Sequence, residues 1–279
     1  MKNIVLITNE SKDKSFSVTQ EVAQRLTDAG MSVYVSEDSG YKGDKVNTYK
    51  ALPTETELII IVGGDGSVID ASKYAIEHDI PILGINLGRV GYLAEVELGN
   101  LQLLDRLVSG DYEIKEKMLL NVSINDVEIS RLAVNDVVVS HDSHLGIADI
   151  RIEDSFKNTV KYRADGVILS TPQGSTAYSL SSGGPIVAHD VESILMTPVS
   201  PHTFFNRSVL FNSSEIIRVT NLGESYMKVS IDGRCIGELK TNDSCYVSKS
   251  DKKIKMLTFS RNSMFSSLFN KMRILGDMD

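Results

Sequence analysis

Five consecutive residues, Gly63-Gly64-Asp65-Gly66-Ser67, follow the apolar run Leu58-Ile59-Ile60-Ile61-Val62 and lead into a stretch with helical periodicity. Glycines between a buried strand and a helix let the backbone approach an anion closely, and the amides of the helix start face it, which is phosphate-binding geometry. The segment has neither the G-x-x-x-x-G-K-[ST] of a P-loop nor the G-x-G-x-x-G of the dinucleotide fingerprint. A carboxylate among phosphate-facing amides would repel the anion unless it serves a metal, a hydroxyl or both, so Asp65 points to group transfer. The same residues also read as an ordinary strand-to-helix turn with Asp65 as its N-cap.

A second segment, Ser170-Thr171-Pro172-Gln173-Gly174-Ser175-Thr176-Ala177-Tyr178-Ser179-Leu180-Ser181, follows the apolar run from Gly166 and ends at Gly183-Gly184-Pro185. It predicts a strand, a turn and a short helix with an open N-terminus and a glycine-proline stop, and small hydroxyls that converge on one spot. A third feature is Asn135-Asp136, two polar residues that interrupt an apolar strand, where neighbouring side chains face opposite sides; such an interruption is most often a bulge or strand end. Gly88-Arg89-Val90-Gly91-Tyr92-Leu93 and Ser200-Pro201-His202-Thr203 read as turns or binding loops.

These segments need elements to hold them. Lys2–Thr8 suits a buried parallel strand, and Phe16, Val18, Val22, Ala23, Leu26 and Ala29 recur at helical spacing until Gly30. Met31–Val35 and Leu58–Val62 are strands, Val68 to Ile76 marks a helix, and Pro81–Ile85 marks the next strand. The pattern is βαβαβ, a Rossmann-like α/β layer, followed by a helix from about Leu101 to Val108 capped at Gly110. From Tyr112 the texture changes to short β-branched runs: Leu119–Ile124, Val127–Leu132, Val134–Ser140, Ile147–Ile152, Gly166–Ser170, Ile216–Thr220, Met227–Ile231, Ser244–Ser248 and Lys253–Phe259. That predicts a β-rich second domain with a boundary near residues 112–117. Met264–Leu275 has an apolar stripe at helical spacing.

With 279 residues, 42 % hydrophobic and 24 % charged, the chain is large enough for two cores. A formal net charge of −8 argues against wrapping nucleic acid or docking on an anionic membrane. No apolar run is long enough to span a bilayer and the start turns polar early, so a cytoplasmic location is expected. Cys235 and Cys245 lack C-x-x-C spacing and the five histidines form no H-E-x-x-H array, so no transition-metal site is expected.

Together these residues resemble the NAD kinase family. Its G-G-D-G-T loop appears as Gly63 to Ser67, its G-x-x-G-[FY]-L segment as Gly88 to Leu93, and its S-T-P-x-G-S-T-A-Y stretch as Ser170 to Tyr178, in the same order. The resemblance implies a Rossmann-like domain over residues 1–115, a β-sandwich-like NAD-binding domain over 116–260, and a segment 261–279 that returns to the first domain. It further implies transfer of a phosphoryl group from ATP or polyphosphate to the adenosine-ribose 2′-hydroxyl of NAD. The enzyme would be a homo-oligomer, dimer or tetramer, using a divalent metal such as Mg²⁺ held mainly with the donor.

By the same resemblance Asp65 is the general base, with Gly63, Gly64, Gly66 and Ser67 as the phosphate loop. Asn135 and Asp136 hold the adenosine half, Arg163 and Asp165 the nicotinamide side, and Thr176, Ala177, Tyr178, Ser179, Leu180 and Ser181 line the NAD. Ser67 replaces the family's threonine, Asp136 its glutamate, and Arg234 a frequent glutamine. A lipid kinase would share the glycine-aspartate loop, but the sequence carries no basic amphipathic helix or exposed apolar run for a membrane.

Overall fold

The computed structural model describes residues 1–88, 91–141 and 147–259. They form two compact units, Met1–Glu116 with the end of the last strand from Ile254, and Lys117–Lys253.

The first unit is built from β1 (Asn3–Thr8), α1 (Ser17–Asp28), β2 (Ser32–Ser36), β3 (Asn47–Tyr49), β4 (Leu58–Gly63), α2 (Asp65–His78) and β5 (Ile82–Asn86). The strands pair in parallel in the order β3-β2-β1-β4-β5. A short β6 (Val96–Glu97) adds to β5. All six residues of β4 are buried, which is why its sequence is continuously apolar rather than alternating. Leu58, Ile60 and Val62 meet Val22, Ala23 and Leu26 of α1 in one core, while Ile59 and Ile61 are buried on the other face.

Phe16, expected inside α1, precedes it with φ 54 and packs against Tyr41 instead. The helix expected over Leu101–Val108 is a 3-10 turn over Leu98–Asp105 followed by one α-turn, α3 (Arg106–Ser109). Asn100, at φ −126, breaks the helical geometry there, and Gly110 caps the end at φ 72.

The second unit runs through β7 (Glu113–Ile124), β8 (Val127–Ala133), β9 (Asp136–His141), β10 (Ala148–Glu153), β11 (Thr159–Ala164), β12 (Gly166–Ser170), α4 (Tyr178–Ser181), β13 (Ser193–Val199), β14 (Val209–Asn212), β15 (Ile217–Asn221), β16 (Met227–Ile231), β17 (Arg234–Leu239) and β18 (Ser244–Thr258). One antiparallel sheet has the order β14-β13-β12-β9-β16-β17, and the other contains β11-β10-β15-β18. Val137, Val139, Val167, Leu169, Val229 and Ile231 from the first pack against Ile150, Ile152, Val219 and Val247 from the second, giving a β-sandwich with a shared core.

Two strands expected at Ser244–Ser248 and Lys253–Phe259 are one, β18. Its start pairs with β15 through Val219 and Cys245, its end with β5 through Met256 and Ile82. Asp251, Lys252 and Lys253 between them are exposed, yet the paired ends keep the backbone extended. Cys245 lies fully buried in the sandwich core and burial pushes its thiol up to about 12, whereas Cys235 on β17 is exposed; both are unpaired. The segment 261–279 lies outside the described residues.

The side chain of Ile60 is fully buried at the centre of the parallel sheet. Ile60→Ala should therefore cost about 2–5 kcal/mol in a urea denaturation series, the range for a buried aliphatic truncation. A loss within experimental error would show that the first core repacks around the missing side chain.

Candidate active site

β4 delivers the chain to the glycine loop. The Gly63 carbonyl accepts from the Leu87 amide at 2.6 Å, and Val62 O accepts from Asn9 N at 2.8 Å, so the strand end is fixed from both sides. Gly64 is the N-cap of α2, with φ −135, and its carbonyl accepts from the amides of Ser67 (2.8 Å) and Val68 (3.1 Å). The Ser67 hydroxyl accepts from Asn9 Nδ2 at 2.8 Å and fills the space where a Gly63 side chain would begin. The amides of Asp65 and Gly66, in the first helical turn, have no intrahelical acceptor and remain for an anion.

Asp65 is the first helical residue rather than the cap, and its side chain makes no capping bond to its own helix. It reaches instead to the segment after β5. Oδ2 accepts from Tyr92 N at 2.8 Å, and Oδ1 accepts from Leu93 N at 3.1 Å and Ala94 N at 3.4 Å. A Cβ at Gly91 would fall on Oδ1, so that approach requires glycine. A carboxylate offers about four acceptor positions, so three amides leave room for one more donor. Of the expected Gly88 to Leu93 segment, Arg89 and Val90 lie outside the described residues.

A second cluster forms in the sandwich. Asn135 and Asp136 read as a bulge or strand end, and they form a strand end: β9 starts at Asp136 and Asn135 precedes it. The Asp232 carboxylate holds this strand entry, accepting from Val134 N (2.9 Å), Asn135 N (2.8 Å) and Asp136 N (3.1 Å). Asp232 N donates back to Asp136 O at 3.0 Å. Asp232 sits with Gly233 at φ 47 and φ 78 in the two-residue turn between β16 and β17, a conformation matched to the strand twist.

Asp232 carries no ligand-like pattern in the sequence. Its available signal was Asp-Gly between two strand-like runs, which announces a hairpin but not what the aspartate holds. Asp136 as a residue is only 5 % exposed. Burial first, and then the nearby Asp232 charge, raise its carboxyl to about 7. Burial also raises Asp232, against the three amides that favour its ionised form.

The serine- and threonine-rich segment packs beside this entry. Thr171 N donates to Asn135 O at 2.9 Å and Thr171 Oγ1 to Val134 O at 2.8 Å. A side chain on Gly174 would land on the Asn135 carbonyl. The segment folds as expected into a 3-10 turn over Gln173–Thr176 and then α4, stopped at Gly183 with φ 83.

Its hydroxyls, however, turn inward. Ser175 Oγ donates to Pro172 O and accepts from Val187 N, Thr176 Oγ1 donates to Gln173 O, and Ser179 Oγ meets Thr197 Oγ1 at 2.8 Å. These side chains hold the loop's shape, and Ala177, Tyr178, Leu180 and Ser181 are the members at least partly open to solvent.

Arg163 and Asp165, assigned by the resemblance to the nicotinamide side, form no ion pair with each other among the described residues. Arg163 Nε instead pairs with Asp149 Oδ1 at 3.3 Å, because Asp149 stands directly opposite in the β10–β11 register. Asp165 is exposed, and its backbone joins two strands by donating to Val199 O (3.0 Å) and accepting from His141 N (2.9 Å).

Residues 4–112 match the ATP-NAD kinase N-terminal domain and residues 134–259 the ATP-NAD kinase C-terminal domain. The NAD kinase of Lachnoclostridium phytofermentans is 34 % identical over 284 residues, covering 97 % of this chain and 99 % of that protein. The NAD kinase of Clostridium perfringens is 35 % identical over 282 residues, covering 98 % and 99 %. Yeast NADH kinase complexed with NADH superposes with a TM-score of 0.77 at 22 % identity, over 95 % of this chain and 86 % of that one. An NAD kinase from Archaeoglobus fulgidus in complex with ATP gives 0.70 at 24 % identity, over 98 % and 99 %. The last two likenesses concern the fold.

The raised Asp136 carboxyl links stability to pH. The folded chain keeps that proton to higher pH than the unfolded chain, whose carboxyl titrates at about 3.9. Its favourable contribution is present below that value and is lost as pH rises through about 7. Urea denaturation of the parent protein and of Asp136→Asn should thus show the parent losing ground to the variant between about pH 4 and 7, and no further above. A stability difference constant across that window would show that the carboxyl is not buried as described.

Proposed function

Because the chain belongs to the NAD kinase family and is a phosphotransferase that phosphorylates the adenosine-ribose 2′-hydroxyl of NAD to give NADP, we propose that Asp65 is its general base. The supporting observation is the Asp65 carboxylate itself, fixed at the start of α2 by three amides with one acceptor position left. It is preorganised, and the proton of a donor hydroxyl completes its shell.

In this reading the 2′-oxygen attacks the terminal phosphorus of the donor, the bond to the bridging oxygen breaks, and the hydroxyl proton passes to Asp65. Phosphoryl transfer asks chiefly for alignment and charge neutralisation, and no covalent intermediate with the protein is required. Gly63, Gly64, Gly66 and Ser67 form the phosphate loop, with the amides at the start of α2 directed at the transferred group. ATP or inorganic polyphosphate would supply it.

A divalent cation, Mg²⁺, fits a site of this kind through the donor's own oxygens. Among the described residues no group of three histidine, cysteine, aspartate or glutamate side chains is placed to hold a metal, and Asp65 has a single position to offer. Such an ion would neutralise charge on the transferred phosphoryl. For NAD, Asn135 and Asp136 would bind the adenosine half, Arg163 and Asp165 the nicotinamide side, and the Thr176 to Ser181 segment would line the cofactor. No helix among the described residues is long and apolar enough to cross a membrane, and a cytoplasmic homo-oligomer is the arrangement we propose.

Asp65→Asn keeps size, and its one carbonyl oxygen can still accept from Leu93 N and Ala94 N, although its NH₂ cannot accept from Tyr92 N. It should lower kcat for NADP formation by about 10²–10⁴-fold, the usual worth of a positioned base, with little change in NAD affinity measured by calorimetry. Near-normal kcat would reduce Asp65 to an anchor for the Tyr92–Ala94 segment, and parallel loss of binding would make it a substrate contact.

A further inference from the structure

The turn between β1 and α1 carries Lys12 over the glycine loop. A side chain begun at Gly64 would fall against the Lys12 ammonium, and one begun at Gly88 would lie 3.5 Å from it. The ammonium thus lies between the two glycine-bearing turns that follow β4 and β5. Gly64, without a side chain, leaves the ammonium room to lie against the loop.

The turn that presents Lys12 is built into the site. Asn9 O accepts from the amides of Lys12 and Asp13, both at 3.0 Å, and Asn9 Nδ2 donates to Ser67 Oγ of the loop at 2.8 Å. Ser11 Oγ donates to Asn9 Oδ1 at 2.7 Å. On the other side, the buried Asp13 carboxylate accepts from Thr19 N (2.8 Å) and Thr19 Oγ1 (2.6 Å), tying the turn to α1. Lys12 itself is exposed and makes no ion pair or side-chain hydrogen bond among the described residues. A cation held over anion-facing amides, in a chain of net charge −8, has an electrostatic use only when an anion arrives.

We propose that Lys12 binds the phosphates of the donor, bridging the tail that lies on the glycine loop and neutralising charge as the terminal phosphoryl group leaves. The ligand chemistry is a polyphosphate chain, whether that of a nucleoside triphosphate or inorganic. The inference rests on the reading that the donor's phosphates lie on the loop. It adds to that reading a residue outside the loop and outside the motifs that define it.

The test compares Lys12→Met, Lys12→Arg and Gly66→Val in steady-state assays with NAD and either ATP or inorganic polyphosphate, taking whichever donor is used. Nothing lies within 4 Å of a Cβ at Gly66, so a side chain can be started in the first turn of α2 without meeting the fold there. Lys12→Met should raise the donor KM by about 10- to 100-fold, the worth of one charge-assisted phosphate contact, and leave the NAD KM unchanged. Lys12→Arg should restore most of the loss, since the charge is kept.

If Lys12→Met leaves donor KM and kcat unchanged while Gly66→Val raises the donor KM, the loop reading stands and the role of Lys12 is refuted. If Gly66→Val is silent too, the phosphates do not lie on the loop and both fall. A Lys12→Met effect equal on NAD and donor would make the lysine a structural part of its turn and overturn the proposal.

Discussion

A carboxylate that gathers several backbone amides is the interaction on which both clusters depend. Asp65 collects Tyr92, Leu93 and Ala94, and Asp232 collects Val134, Asn135 and Asp136. Asp13 does the same for the start of α1. In each case backbone at the edge of a regular element, including the first turn of α1, would otherwise strand its N–H groups, and one charged acceptor satisfies two or three of them. Hydrogen bonds to a charged group are worth about 1.5–3 kcal/mol each, enough to help fix such a segment. Side chains usually assigned to chemistry in an acidic protein are here also the fasteners of its loops.

This dual use shaped what the sequence revealed. The β-branched run before Gly63 identified β4, because a strand buried on both faces must be apolar throughout. The hairpin turn at Asn125-Asp126 was equally plain, with both residues at positive φ. The helix before Gly110 was misread because Leu101, Leu104 and Leu107 are all buried, and that spacing suits a 3-10 turn as well as an α-helix. The single strand β18 was read as two, since its polar middle resembles a loop and only pairing at each end keeps it extended.

Within the candidate site, the residue types were legible and their partners were not. The glycines and Asp65 stood out by composition, but that Asp65 binds the segment after β5 rather than its own helix depends on a contact 27 residues away in sequence. Asp232 reaches Asn135 across 97 residues, a distance at which local pattern says nothing. The serine and threonine hydroxyls of the 170–181 segment look like ligand donors, yet those of Ser175 and Thr176 go to the loop's own carbonyls and those of Ser170, Thr171 and Ser179 to Leu195, Val134 and Thr197. Small polar residues in a tight turn must first satisfy its buried backbone.

The unequal placement of the two thiols makes the molecule selectively addressable. Alkylation requires the thiolate, which Cys245 withholds in the sandwich core while Cys235 stands in solvent. Cys235 follows the Asp232-Gly233 turn by two residues, on the strand that leaves it. A fluorophore attached through maleimide chemistry would therefore mark one position without any engineered cysteine. It would stand beside the hairpin whose aspartate fastens the Asn135 entry, a ready optical reporter for events at that end of the sandwich.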